Sequence, residues 1–268
     1  MLKATQIGDV TEIKMGRSLD GENVLYWVAA YLIDGVLIDS GCDYSKKELA
    51  DFLEGKQVSL LINTHYHEDH VGGNALLEKR LRLGALAHPE TVRLMSRKYE
   101  LYPFQVEIWG YPDPSTPAPI GTAVKEGEGN VSLRVIETPG HCIGHISLFE
   151  EKRRILFSGD TWVGERPKTA RAEENVYQLI ADLRKFEELK PKMMFASLGK
   201  AVAEPQKVIE RTRVYLEETR DEVRRLHSEG KSSERILEEL FGRESVLASA
   251  TQDQLSTKIF IESFLREP

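Results

Sequence analysis

The chain has 268 residues, enough to bury a full core in one large domain or in one domain with an appendage. Its formal net charge of −7 argues against unassisted, non-specific binding to nucleic acid, although a bound metal would add positive charge that this tally omits. Two cysteines, Cys42 and Cys142, are no disulfide framework and fit a reduced compartment; a single bridge between them is the alternative. The first residues lack the apolar core of a signal peptide, and no apolar run approaches the length of a membrane span. The expectation is a soluble, cytoplasmic protein with a well-solvated surface.

Residues 10–40 read as strand-rich. Residues 24–33 form a long apolar segment, Asp34-Gly35 has the chemistry of a hairpin turn, and Val36-Leu37-Ile38 returns from it. Asp39-Ser40-Gly41-Cys42 ends that strand. Asp39 is either a turn residue or a carboxylate supporting a nearby site, and Cys42 reads as a small buried hydrophobe. Residues 45–54 suit a helix with Ser45 as its N-cap. The apolar run Val58-Ser59-Leu60-Leu61-Ile62 is expected as a buried strand.

That run leads into Asn63-Thr64-His65-Tyr66-His67-Glu68-Asp69-His70-Val71-Gly72-Gly73, around which the rest of the chain is organised. Four groups able to ligate a metal, His65, His67, Asp69 and His70, fall within six positions. Imidazole nitrogens and a carboxylate oxygen suit zinc, and also iron and manganese. Two histidines at i and i+2 can converge on one ion, and the Asp-His pair beyond can face a second. A helix-like pattern begins at Ala75, so these groups sit on a strand-to-helix loop, where function usually resides.

Further on, a helix near 74–82, a strand near 85–88 ending at His88, and a helix opened by Pro89 are expected. Residues 97–121 interleave Tyr99, Tyr102, Phe104, Trp109 and Tyr111 with five prolines. Such a segment is a lid, a packed peripheral loop or an oligomer contact. Residues 131–136 alternate as a strand and run into Thr138-Pro139-Gly140-His141-Cys142-Ile143-Gly144-His145, then a strand over 146–149. Another strand, 154–157, ends in Ser158-Gly159-Asp160-Thr161. Twice more, then, a strand ends in a glycine-containing loop bearing a candidate ligand, His141 and then Asp160. Residues 173–189 have helical spacing, 193–196 read as a last buried strand, and the chain from Pro205 onward is charged and helical in three segments. Two regions are expected: 1–205, and a C-terminal helical extension over 206–268.

The ordered set His-x-His-x-Asp-His, Thr-Pro-Gly-His and Ser-Gly-Asp-Thr resembles the metallo-β-lactamase-fold superfamily over roughly residues 5–205. Within it, Thr138 to His145 looks most like the hydroxyacylglutathione hydrolase (glyoxalase II)-like branch. The resemblance implies an α/β fold, a four-layer αββα sandwich with metals at one edge of the paired sheets. It implies His65, His67 and His141 as ligands of one metal, Asp69 and His70 as ligands of a second, and Asp160 as the bridge. His145 reads as structural. The implied cofactor is zinc, one or two ions per chain, with iron or manganese as alternatives. The family usually ends its last core strand in Gly-His and takes a seventh ligand there, whereas this chain has Gly199-Lys200. A protonated ammonium has no lone pair to give a metal. The second ion is therefore weakly bound and completed by water, or absent with Lys200 offsetting Asp69 or Asp160, or bound by a neutral or modified Lys200.

With metal bound, water with a free pKa of about 15.7 is brought to about 7 and attacks an electrophilic carbonyl. Asp69 is the candidate to orient that nucleophile and shuttle its proton, and Lys200 the candidate to stabilise the developing oxyanion. The expected function is a metal-dependent hydrolase of a small ester, thioester or lactone-type substrate, with β-lactams also open. The branch's Gly-Arg-Phe-type segment after the bridging aspartate is replaced here by Trp162-Val163-Gly164-Glu165, which argues against glutathione as part of the substrate. One alternative is a mononuclear non-haem iron persulfide dioxygenase, which needs only two histidines and a carboxylate. Another is a lactamase-like ribonuclease, although Arg211, Arg213, Arg220, Arg224 and Arg225 alternate with acids and form no basic stripe. A catalytically dead binding module is the last. The expected partner is a small-molecule substrate rather than nucleic acid or membrane, with a homodimer through the helical extension or the 97–121 segment.

Overall fold

The structure, a computed structural model, describes residues 1–126 and 131–266. Positions 267 and 268 of the expected helical extension lie outside the described residues. The chain forms two compact units. The first comprises Met1–Glu137, Gly144–Asp160 and Lys192–Ala203; the second comprises Thr138–Ile143, Thr161–Pro191 and Glu204–Pro268. The second thus takes in residues 161–191 as well as the helical tail.

The first unit holds two sheets. One has seven strands in chain order: β1 (Leu2–Ile7), β2 (Val10–Met15), β3 (Val28–Ile33), β4 (Val36–Ile38), β5 (Leu60–Ile62), β6 (Ala85–Ala87) and β7 (Ala118–Pro119). The pairs from β1 to β4 are antiparallel and those from β4 to β7 parallel. The other sheet holds β8 (Ala123–Glu126), β9 (Val131–Glu137), β10 (Ile146–Glu150), β11 (Ile155–Gly159), β12 (Met193–Ala196) and β13 (Lys200–Ala203). There only β11 and β12 run parallel. The two parallel junctions decide where chemistry can sit. Ile38 pairs with Ile62, so the residues after β4 and β5 leave the sheet side by side; Gly159 pairs with Ala196, so those after β11 and β12 do the same. Carboxyl ends of adjacent parallel strands are where open α/β sheets bind their ligands.

Alternating side chains build the layers. Tyr31, Ile38 and Ile62 meet Leu148, Phe157 and Phe195 in one cluster between the sheets. The opposite face of the first sheet gives Leu37 and Leu61 to a second cluster. Helices Lys46–Leu53, Asn74–Leu81 and Pro103–Trp109 complete that cluster with Leu49, Leu53, Leu77 and Trp109. Each such side chain contributes about 1.5–3 kcal/mol by leaving water.

Asp34 and Gly35, at φ 45° and 83°, turn β3 into β4 with the positive dihedrals of the expected hairpin. Elsewhere the structure departs from the sequence reading. The strand expected over 24–33 starts only at Val28; Val24 bridges Ser18, and Tyr26 leaves the sheet to meet Trp109 edge-on at 5.7 Å. Ser45 occupies the N-cap position but makes no cap bond, because its hydroxyl faces Gly16 O at 3.3 Å. The 97–121 segment contains a helix, and the chain does not end its sheet at 196 but turns through three residues into β13. Cys42 and Cys142 are buried and form no disulfide, so the alternative of a bridge between them does not hold.

The second unit is built from helices Val176–Leu189, Gln206–Ser228, Ser233–Phe241, Val246–Ala250 and Thr257–Ser263. Asn175 caps the first by accepting from Gln178 N at 3.0 Å. Ile180, Leu183 and Phe186 are buried on that helix, as are Ile209, Leu216 and Val223 on the next. Three arginines of the second helix face acids: Arg211 grips both oxygens of Glu165, Arg213 meets Glu187 and Glu217, and Arg225 meets Glu222. Among the described residues no helix is long and apolar enough to cross a membrane.

Candidate metal centre

Asp39, directly after β4, sits at φ 60° and is buried. Its carboxylate accepts from Thr64 N and Thr64 Oγ1, each at 2.8 Å, and lies 2.7 Å from His70 Nδ1. A carboxylate is acceptor-only, so Nδ1 of His70 carries a proton, and Nε2 is the nitrogen left to face a metal once it is deprotonated. Thr64 Oγ1 gives its proton to Asp39 and therefore accepts from His65 Nδ1, 3.0 Å away, which puts the lone pair on Nε2. One aspartate thus fixes two imidazoles. Beneath it, Asn63 and Asn74 exchange two hydrogen bonds at 2.7 and 3.1 Å, and Ser40 Oγ donates to Asn74 Oδ1 at 2.6 Å. Gly72 is required by close packing: a Cβ there would lie 2.2 Å from Asp43 N.

Asp160 follows β11. Its backbone N–H donates to His145 Nε2 at 3.0 Å, and Ser197 Oγ donates to its Oδ1. His70 Nε2 faces Asp160 Oδ1 at 3.3 Å and Asp69 Oδ2 at 3.7 Å. His65 Nε2 is 3.0 Å from His67 Nδ1. One ligand atom each from His65, His70 and Asp160 lies within 4.8 Å of the other two. Burial alone would depress the pKa of His70, but Asp39, Asp69 and Asp160 outweigh it and hold the imidazolium well above its ordinary range. Three carboxylates packed around buried imidazoles call for a cation, and the donor set of nitrogens and carboxylate oxygens fits a divalent metal.

The other predicted residues fall as follows. His141 belongs to the second unit, is 5% exposed, and has Nδ1 2.8 Å from Glu174 Oε1. Lys200 is exposed and opens β13 opposite Ala196. Ser197, three residues earlier in the same turn, donates to Asp160 Oδ1. Neither Ser197 nor Glu174 carries a ligand signature in the sequence; only the parallel register and the fold of the second unit single them out. His145 supports the Asp160 backbone, and His88 caps the helix Pro89–Met95 by accepting from Glu90 N. The 97–121 segment packs beside the histidine loop: Tyr99 donates to Tyr66 O at 2.9 Å, and Gln105 donates to Glu68 Oε1 at 2.8 Å. Burial, then the nearby Glu68 and Asp69, push the Tyr99 phenol up.

A family model described as the metallo-beta-lactamase superfamily matches residues 28–197, more than half of the chain. The chain belongs to this superfamily. A hydroxyacylglutathione hydrolase of Rhodopseudomonas palustris (strain BisB5) is 33% identical over 113 residues, 40% of this chain and 35% of the relative. A beta-lactamase-like protein 2 homolog of Drosophila melanogaster is 28% identical over 184 residues, 63% of this chain and 56% of the relative. The chain thus spans between about a third and somewhat over half the length of these curated relatives. Among solved structures, a beta-lactamase domain protein from Burkholderia ambifaria has a TM-score of 0.74 at 19% identity, covering 98% of this chain and 87% of that one. An archaeal metallo-beta-lactamase superfamily protein from Sulfolobus tokodaii has a TM-score of 0.63 at 21% identity, covering 80% and 87%. The fold class expected from the sequence, an α/β metallo-β-lactamase sandwich with C-terminal helices, is therefore the fold of this superfamily member.

Proposed function

We propose that this protein is a metal-dependent hydrolase of a small ester, thioester or lactone-type substrate. The carrying observation is the convergence of His65, His70 and Asp160, with both histidines tied at Nδ1 to the Thr64–Asp39 pair. Zinc, one or two ions per chain, is the proposed cofactor, with iron or manganese as alternatives. His65, His67, Asp69, His70 and Asp160 are its proposed ligands, and His141 is proposed with them from its Thr-Pro-Gly-His motif alone. When bound, such a metal supplies a Lewis acid and a water acidified to about pKa 7.

The chain's own groups do the rest. Asp39 and Thr64 hold the proton positions on His70 and His65. Ser197 donates to Asp160 Oδ1 and fixes that carboxylate. Asp69, buried at 6% exposure, orients the attacking water and accepts its proton on a carboxylate oxygen. The partial likeness to hydroxyacylglutathione hydrolases supports acyl-transfer chemistry without naming the acyl group. Metal analysis on protein purified without added metal, followed by a panel of aryl esters, thioesters and lactones, tests the reading. Asp69→Asn is expected to lower kcat by about 10²–10⁴-fold. Protein that binds no divalent metal and cleaves none of the panel would sink it. Lys200→Ala is the companion measurement, since unchanged turnover removes that lysine from oxyanion stabilisation.

His65, His70 and Asp160 also compose a two-histidine, one-carboxylate set, which supports a non-haem iron persulfide dioxygenase as a second reading. Iron in the purified protein with thiol-dependent oxygen uptake would select it over the hydrolase.

A further inference from the structure

We infer that Glu174 is a positioning residue for His141, setting which imidazole nitrogen is presented to a metal. This rests on the proposed metal-dependent function; its geometry lies wholly within the second unit. The segment Thr138–Ile143 is fastened at three points to the helix Val176–Leu189 and the two residues before it. Gly140 N–H donates to the fully buried Asp182 Oδ2 at 2.9 Å, and Gly140 O accepts from Asn175 N at 2.8 Å. His141 Nδ1 then meets Glu174 Oε1 at 2.8 Å. The approach is close enough to demand glycine: a Cβ on Gly140 would lie 2.5 Å from Leu179 N and 2.9 Å from Asp182 Oδ2.

Asp182 and Asn175 thus fix the backbone and leave the ring of His141 only its own torsions. Glu174 removes these. Its second oxygen accepts from Arg171 N at 3.3 Å, while Glu174 N donates to Arg171 O at 3.1 Å, so the carboxylate is held by its own turn. Because a carboxylate cannot donate, the shared proton resides on His141 Nδ1 and the lone pair on Nε2. Nε2 is then the atom a metal takes, and a carboxylate on the far nitrogen makes it a stronger base. The arrangement repeats, on a separate part of the chain, what Asp39 does for His70.

Imidazole-¹⁵N spectra of the metal-free protein, with His141 assigned by the loss of its signals in His141→Asn, read the tautomer directly. Zinc titration against a chromophoric chelator reads the affinity. Wild type should show the Nδ1–H form of His141. Glu174→Ala should shift it toward Nε2–H and weaken zinc binding by roughly 10- to 100-fold. Glu174→Gln, whose amide oxygen still accepts, should keep Nδ1–H and lose only a few-fold. An Nε2–H form in wild type overturns the inference without any variant, and so does unchanged zinc affinity in a folded Glu174→Ala. Wild type that takes no zinc while showing Nδ1–H defeats the metal reading instead and leaves the placement of the ring standing.

Discussion

At the scale of single residues, the proposed centre depends on groups that are not among its proposed ligands. Asp39 ties three donors, and its removal unties both histidines at once. Asp39→Asn presents an amide N–H where His70 Nδ1 needs an acceptor, so the two donors clash or the imidazole flips its tautomer. Zinc affinity is expected to fall by roughly 10- to 100-fold, measured by chelator competition on folded protein. An unchanged affinity would mean that His70 is not oriented through Nδ1. The proposed ligand residues stand out in the sequence because their order and spacing carry coordination chemistry. Asp39 was legible only as an alternative, since its role depends on the parallel pairing of Ile38 with Ile62, which no local pattern encodes. Ser197 and Glu174 were not legible, because a turn serine and a glutamate are common residues that acquire meaning only through what the fold sets against them.

At the scale of elements, strands and helices with a clear period were readable and the irregular connections were not. The helix Gln206–Ser228 follows from its apolar spacing, and the hairpin at Asp34-Gly35 from its turn chemistry. The helix Pro103–Trp109 was hidden among prolines, although Pro103 serves as its first residue and Gln105 Oε1 reaches back to accept from Tyr102 N at 2.8 Å. A similar device joins the last helices. Glu244 accepts from Ser245 N at 2.7 Å, Thr257 N at 2.6 Å and Lys258 N at 3.0 Å, and so caps the start of the helix Thr257–Ser263. Partial burial opposes its charge, but these backbone donors outweigh it and hold its pKa below the ordinary 4.5. The folded state therefore favours the ionised form. That stabilisation is fully present above about pH 4.5 and is lost as pH falls through the lower folded value. Glu244→Gln is expected to cost about 1 kcal/mol at neutral pH, with the gap from wild type closing below pH 4.5 in denaturant titrations. A gap that persists in acid would show that shape rather than charge makes the cap.

At the scale of the whole molecule, the clustered carboxylates set a condition on stability. Asp39, Asp69 and Asp160 are drawn together around imidazoles by two parallel strand junctions, and His70 is the imidazole that all three raise toward its charged form. Without a metal, the charged His70 offsets only part of this negative charge, and each ion left uncompensated out of water costs several kcal/mol even after relaxation. A metal that binds the folded chain and not the unfolded one lowers the folded free energy by mass action, by about 2.7 kcal/mol at a free concentration one hundred times its Kd. For a chain of this size each kcal/mol moves the melting temperature by roughly 2–4 °C. Stripping metal with a chelator should therefore lower the melting temperature by about 5–10 °C, and zinc added back should restore it. Asp160→Asn should melt closer to its own stripped form, because one ligand is lost and one repulsive charge is removed with it. If chelation leaves the wild-type melt unchanged while metal analysis shows an ion bound, that ion sits elsewhere, and the cluster around His70 is a buried polar network rather than a metal centre.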